Sequence, residues 1–370
     1  MSFLRPEPPH DHIDPARVGV LLVNLGTPDD ATPAAVRRYL AQFLADPRVV
    51  ELPRAAWLPI LHGVILRVRP AKSARKYASI WTNGGSPLLV HSVRQRTLLR
   101  GLLGERLKGM GLPGDLAVVE LGMTYGNPSV AAALERLKAA NCDRILVVPL
   151  FPQYAASATG SACAAVLAAA GRMRRMPGLR TIDAFHDDPA YIRALAQCVN
   201  DYWMRNGRPD HLVLSFHGVP RRTLELGDPY FCHCQKTGRL LVAELGLAPK
   251  QFTISFQSRF GRAEWLTPYT AATVEALGKA GTRRVDVFCP GFVSDCLETL
   301  EEIGIEVKAS FLAAGGQEFN AIPCLNEQPL WIAALTDLVL RHLQGWLVAP
   351  VPAEARELAQ IRARAAGAAR

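Results

Sequence analysis

Seven short apolar runs, rich in β-branched residues, punctuate the chain and constrain its fold more than any other feature. They are 18–25 (VGVLLVNL), 116–121 (LAVVEL), 144–150 (RILVVPL), 179–185 (LRTIDAF), 211–216 (HLVLSF), 252–256 (FTISF) and 284–288 (RVDVF). Near-continuous apolar runs of this length suit strands buried on both faces. Between them lie segments with apolar residues at helical spacing, such as 129–140 (SVAAALERLKAA). Strands alternating with helices predict an α/β protein built on parallel sheets. A length of 370 residues exceeds what one hydrophobic core usually holds, so two domains are expected.

A weak internal echo supports the division. RILVVPLFPQYAAS begins at Arg144 and RVDVFCPGFVSDCL at Arg284. Each reads as a basic start, a strand, a proline-containing turn and small polar residues opening a helix. Two similar α/β halves facing each other would produce this pattern. The MRRMPG stretch, ending at Gly178, interrupts it and marks the boundary. The expected organisation is one α/β domain over 18–175, with a returning helix at 328–347, and a second over 176–327. Residues 1–17 and 348–370 are expected as loose tails.

Several function classes drop out. No run of 18 apolar residues exists; 55–66 (AAWLPILHGVIL) is too short and is flanked by Arg54 and Arg67. The N-terminus carries no apolar signal core before Val18, so the expected location is cytoplasmic. Eight cysteines in such a chain are expected as thiols. The formal charge is +9, with Arg356, Arg362, Arg364 and Arg370 in the tail. No basic stripe interleaved with aromatics accompanies it, and no nucleic-acid partner is expected. Gly109, Gly111 and Gly114 match G-x-G-x-x-G but precede a strand, which is the wrong context for a dinucleotide loop.

Open α/β sheets bind ligands beyond the carboxyl ends of their strands. His217 stands at such an end, in LVLSFHGVP, with Gly218 free to turn sharply. Position alone leaves a structural role more common than a catalytic one. The segment 289–302 (CPGFVSDCLETLEE) adds carboxylates. A helix starting near Ser294 or Asp295 would place Asp295, Glu298 and Glu302 on one face. Helix capping accounts for Asp295 and, less well, for Glu298; it does not account for Glu302. A line of carboxylates can ligate a divalent ion or relay protons. Cys232 and Cys234 form a CxC that needs further ligands before it could hold a metal or cluster. The bulky stretch with Trp57 and Leu61 reads as core, or as an apolar lip for a large flat ligand or a membrane surface.

Together these segments resemble the ferrochelatase family, in its proteobacterial form. The resemblance runs from about Val18 to Leu347. It rests on LLVNLGTPD, KYASIWTNGGSPL, GMTYGNPSV, PLFPQYAASATGS, FHDDPAYI, SFHGVP, GDPYFCHC, FQSRFGRAEWLTP and CPGFVSDCLETLEEI, nine motifs in the family's order. It implies two Rossmann-like domains with parallel sheets facing a central cleft. It also implies insertion of Fe²⁺ into protoporphyrin IX to form protohaem. By the same resemblance, His217 and Glu298 are the active-site pair, as catalytic residues and metal ligands. Asp295 and Glu302 form the acidic line leading away from them. Leu25, Tyr125, Tyr154 and Trp265 line the porphyrin cleft, and Trp57 and Leu61 its lip.

Animal relatives carry a histidine two residues before the glutamate, where this chain has Cys296, so no role of that histidine transfers. The tail beyond Leu347 lacks cysteine, so no iron–sulfur cluster of the C-terminal type is expected and no other tightly bound cofactor is implied. The implied partners are porphyrin and ferrous iron, with at most peripheral contact to the inner membrane. The alternatives are a coproporphyrin or cobalt chelatase, and a non-catalytic metal or porphyrin carrier.

Overall fold

The strands pair into two separate four-stranded parallel sheets in this computed structural model, which describes residues 3–9, 11, 13–261 and 263–368. In the first sheet β1 (Arg17–Thr27) is central, between β2 (Ala117–Gly126) and β3 (Cys142–Pro149), with β4 (Gly178–Thr181) on the edge beside β3. In the second, β5 (His211–His217) lies between β6 (Phe252–Gln257) and β7 (Arg284–Phe288), with β8 (Glu318–Ala321) on the edge. The two sheets share one strand order. The RILVV and RVDVF runs occupy the same third strand of each, which gives the sequence echo a structural meaning. β8 has no counterpart among the seven apolar runs. Its sequence, EFNA, has only Phe319 buried, so nothing apolar signals it. The expected run at 179–185 is a strand only to Thr181; Phe185 leaves the sheet and enters the core.

Helices cover both sheets. After β1 come α1 (Pro33–Phe43), α2 (Arg54–Ile60) and α3 (Leu66–Ile80), the last two joined through a π-helical turn, Leu61–Ile65. Pro59 withholds a backbone donor just before that wider turn, which matches the local loss of α-helical register. α4 (Pro87–Gly109), α5 (Val130–Ala139) and α6 (Ser161–Ala170) pack on the first sheet. α7 (Pro189–Asn206) follows the crossover to the second sheet. Its start is set by Asp188, whose carboxylate accepts the N–H groups of Ala190 and Tyr191, with Pro189 at the first helical position. α8 (Arg221–Glu225), α9 (Tyr230–Glu244), α10 (Thr270–Lys279) and α11 (Lys308–Ala313) belong to the second half, with a π-helix, Glu298–Val307, between β7 and α11.

α12 (Pro329–His342) packs on both α4 and α7. One hydrophobic core therefore runs through the middle, from Val20 and Leu22 of the first sheet to Leu214 and Phe216 of the second. Trp331 of α12 stacks on Phe185 at 5.7 Å between ring centroids. This shared core fixes how the carboxyl ends of the two sheets face each other. The last helix, α13 (Ala353–Ala365), is tied to the N-terminal arm: Arg356 donates to the Ile13 carbonyl, and Gln360 Nε2 to Asp11 Oδ1 at 2.7 Å. The two segments expected as loose tails thus hold each other. Arg370 of the basic tail cluster lies outside the described residues. Among those described, no helix is long and apolar enough to cross a membrane.

Candidate active site

His217 is the last residue of β5, paired in register with Gln257, the last of β6. The chain then turns away through Gly218, whose N–H donates to the Gln257 carbonyl at 2.7 Å. A Cβ on Gly218 would lie 2.7 Å from that carbonyl oxygen and 3.2 Å from Trp265 Cε3, so only glycine permits this approach. The His217 ring is half-buried, with Nδ1 2.6 Å from the Gly218 carbonyl. A carbonyl can only accept, so Nδ1 carries the proton and the neutral ring presents its lone pair at Nε2.

Gln257 joins this strand end to the carboxylate segment. Its Oε1 accepts from Ser215 Oγ at 2.6 Å and from Cys289 Sγ at 3.5 Å; its Nε2 donates to the Glu298 carbonyl at 2.9 Å. The amide is buried. Three strand ends and the first turn of the π-helix therefore meet on one side chain.

Glu302 lies one turn further along the π-helix. Its two carboxylate oxygens take the Ser258 N–H at 2.6 Å and the Ser258 hydroxyl at 2.5 Å. Ser258 follows Gln257 directly and holds φ at 67°, in the left-handed region that costs a serine conformational energy. Burial pushes the Glu302 carboxyl above its usual range, and the charge of Glu298 adds to that; the Ser258 hydrogen bonds and the His217 imidazole oppose it. Glu302 is thus within electrostatic reach of both His217 and Glu298.

Glu298 itself is half-buried, and its charge is felt by two phenols from the first half. Tyr39 of α1 and Tyr77 of α3 are both buried. Burial raises their ionisation well above the ordinary range, and Glu298 contributes to each. Burial, and then Glu298, also push the Cys296 thiol well up, so this position presents a neutral S–H to the carboxylate.

Asp295 departs from the expected line. The helix begins at Leu297, not at Ser294 or Asp295. Asp295 is buried and accepts from Thr299 Oγ1 at 2.9 Å, Asn326 Nδ2 at 2.6 Å and the Cys324 N–H at 3.3 Å. Its carboxylate ties the segment to the loop after β8, and it caps no helical N–H. Glu298 and Glu302 therefore form a pair by themselves, and Asp295 has a separate set of partners.

The expected cleft residues divide. Leu25 and Tyr154 are half-buried, and the Tyr154 N–H donates to His233 Nδ1 at 3.2 Å. Trp265 is 5% exposed, stands edge-on to Phe260 at 4.9 Å, and its indole N–H finds no hydrogen-bond partner among the described residues. Tyr125 is a correction: it is buried, its hydroxyl donates to Asp46 Oδ2 at 2.8 Å, and it packs against Phe43 inside the first half. Leu61 is another, being fully buried in the core under α1 and α3. Trp57 is half-buried with its indole N–H on the Leu44 carbonyl at 2.7 Å. The residues that stand out from this stretch are Ile60, Val64 and Val68, four apart and 46%, 56% and 72% exposed. The continuous apolar run hid which face turned inward, because a π-helical turn shifts the register in its middle.

Cys232 is exposed and Cys234 buried in the core, so the CxC does not present two thiols to one site. Among the described residues no group of three or more His, Cys, Asp or Glu is arranged to hold a metal ion. Gln257 and Ser258, which organise the site, were missed by the sequence reading. They lie inside the FQSRFG motif, but neither residue type signals catalysis by itself.

The ferrochelatase family model matches residues 17–343. The chain is 59% identical over 364 residues to a protein named ferrochelatase from Methylibium petroleiphilum, covering 98% of each. It is 57% identical over 371 residues to another so named from Aromatoleum aromaticum, covering all of both. Among solved structures, SirB from Bacillus subtilis with Fe³⁺ overlaps 88% of this chain and 95% of its own, at 14% identity and a TM-score of 0.48.

Proposed function

The chain belongs to the ferrochelatase family, and we propose that its cleft inserts Fe²⁺ into protoporphyrin IX to form protohaem. Metal insertion asks three things of a protein. The planar macrocycle must bend so that pyrrole nitrogens leave the plane, two N–H protons must depart, and an aquated ferrous ion must shed water and enter from one face. Neither a nucleotide nor a redox step is needed.

The observation that carries the assignment of roles is the convergence at the end of β6: Gln257, in register with His217, donates to the Glu298 carbonyl, and the adjacent Ser258 holds the Glu302 carboxylate. His217 offers Nε2 to a pyrrole proton, since Nδ1 is committed to the Gly218 carbonyl. An imidazole nitrogen with a free lone pair can accept such a proton. Glu298 heads the π-helix and serves as the oxygen ligand that guides the entering ion, a donor type suited to Fe²⁺. Glu302, whose carboxyl is pushed up by burial, is suited to receive the proton and pass it outward. Bending of the ring draws on contacts remote from the nitrogens, with strain of about 1–5 kcal/mol. Tyr154, which is half-buried, is assigned to those contacts.

The lip supports a second element of this reading, peripheral contact with a membrane surface. Ile60, Val64 and Val68 form an exposed apolar stripe, and Arg54, Arg67, Arg69, Lys72 and Arg75 are exposed around it. An apolar stripe with basic flanks matches an anionic lipid interface.

The test is anaerobic mixing of the protein, porphyrin and Fe²⁺ while the absorbance of the free-base ring is followed. Repeated turnover on protoporphyrin, faster than on coproporphyrin, supports the proposal. Conversion limited to one equivalent would make the protein a carrier. His217→Ala is expected to abolish insertion while keeping porphyrin binding; insertion at the normal rate would remove His217 from the chemistry.

A further inference from the structure

Lys76 of α3 reaches out of the first half and contacts two carboxylates of the π-helix: Glu301 Oε2 at 2.9 Å and Glu306 Oε1 at 2.7 Å. Glu301 is 9% exposed at its side chain, so the contact sits largely inside the protein; Glu306, at 53%, is its outer arm. The two glutamates are five residues apart. On an α-helix, at 3.6 residues per turn, such positions point about 140° apart and could not share one ammonium. The wider π-helical turn, with its i→i+5 hydrogen bonds, brings them to one side. The neighbour of Glu301 is Glu302, and Glu298 lies one turn before it. The neighbour of Lys76 is Tyr77, buried between α1 and α3 in the first half; burial holds its phenol protonated, and the charge of Glu298 adds to that.

We propose that Lys76 is a positioning residue for metal insertion: by bridging Glu301 and Glu306 it holds the π-helical winding that turns Glu298 and Glu302 toward His217. The bridge crosses from the lip-bearing helix of one half to the carboxylate-bearing helix of the other. It therefore fixes the lip and the acid pair relative to each other without touching the porphyrin nitrogens. Loss of the bridge lets the helix relax toward α-helical winding, which rotates Glu298 relative to the imidazole. The consequence is a loss in turnover with the ring still bound, because the apolar contacts of the macrocycle lie elsewhere.

This inference rests on the iron-insertion reading, and the experiment separates the two. Turnover at saturating protoporphyrin, porphyrin affinity by fluorescence quenching, and melting temperature are measured for the wild type, Lys76→Met, Lys76→Arg, Glu306→Gln and Lys76→Met/Glu301→Gln. Lys76→Met is expected to lose about tenfold in kcat with porphyrin Kd changed less than about twofold. Lys76→Arg recovers most of kcat, and Glu306→Gln loses less than Lys76→Met because only the outer arm is gone. The double variant leaves no unpaired buried charge, so it regains melting temperature but not kcat. Turnover of Lys76→Met within about twofold of wild type, or full recovery of kcat in the double variant, overturns the positioning role. Absence of insertion by the wild type overturns the underlying function instead.

Discussion

The side-chain amide of Gln257 donates to the backbone carbonyl of Glu298 at 2.9 Å, so the carboxyl end of β6 holds the first turn of the π-helix. The same residue pairs in register with His217. An imidazole from one loop and a carboxylate from another, 81 positions apart in the numbering, are thereby set by one buried side chain. Gln257→Leu keeps the volume and removes every hydrogen bond. It leaves the Glu298 carbonyl without its side-chain donor, at a cost of about 1–3 kcal/mol in stability. Insertion should fall by at least about tenfold while porphyrin binding persists. Chemical denaturation and turnover measured together check this; normal turnover with lowered stability would make Gln257 a purely structural residue.

Glu302 gives a prediction with a definite sign. Burial raises its carboxyl above the usual value of 4.5, so ionisation is harder in the folded protein than in the unfolded chain. The stability it contributes is complete below that usual value and drains away as pH rises through the raised one. Glu302→Gln never ionises and escapes the loss. Its melting temperature should gain on the wild type as pH rises from 4.5 toward neutrality, while iron insertion falls. A difference in melting temperature that stays flat or shrinks with rising pH would contradict the assignment.

His186 predicts the opposite trend. Its ring lies 3.6 Å from His233, with 8° between the planes, in the segment crossing to the second half. Burial, and then His233, lower its pKa from 6.5 to about 4. A depressed imidazole contributes stability above its unfolded value that is lost as pH falls through the folded one. Wild-type stability should therefore decline between pH 6.5 and about 4 more steeply than that of His186→Phe, which retains an aromatic ring over His233. Thermal melts across that range decide it, and parallel curves would remove His186 from the acid response.

The lip can be tested apart from the chemistry. Ile60, Val64 and Val68 are exposed and do not contribute to the core. Changing all three to serine should weaken binding to phosphatidylglycerol vesicles by at least about tenfold, since each apolar side chain contributes roughly 1.5–3 kcal/mol on full burial. Turnover in detergent should remain. Unchanged vesicle binding would leave the stripe without this role.

How much of this was legible in the sequence depends on which interactions are local. Apolar runs and helical spacing determine strands and helices within a few residues, so the α/β class and the alternation could be read directly. β8 could not, because a four-residue edge strand with one buried side chain carries no periodic signal. His217 stands out as a candidate in the sequence because a strand end followed by glycine is a local feature, and Glu298 because of the motif around it. The expected acid line failed at Asp295, since its partners Asn326 and Cys324 come from a distant loop. It also assumed α-helical spacing where the helix is π-wound.

The sequence by itself determined seven of the eight strands, the α/β alternation, the echo between RILVV and RVDVF, and the residue types able to move protons and bind a ferrous ion. Only the tertiary structure decided which of them meet. Gln257 against Glu298, Ser258 against Glu302, and Lys76 between Glu301 and Glu306 are contacts between segments remote in the chain. The physical reason is that backbone preference and hydrophobic period act over a few neighbouring residues, whereas hydrogen bonds between strand ends and ion pairs between the two halves exist only after the sheets and the core they share have formed.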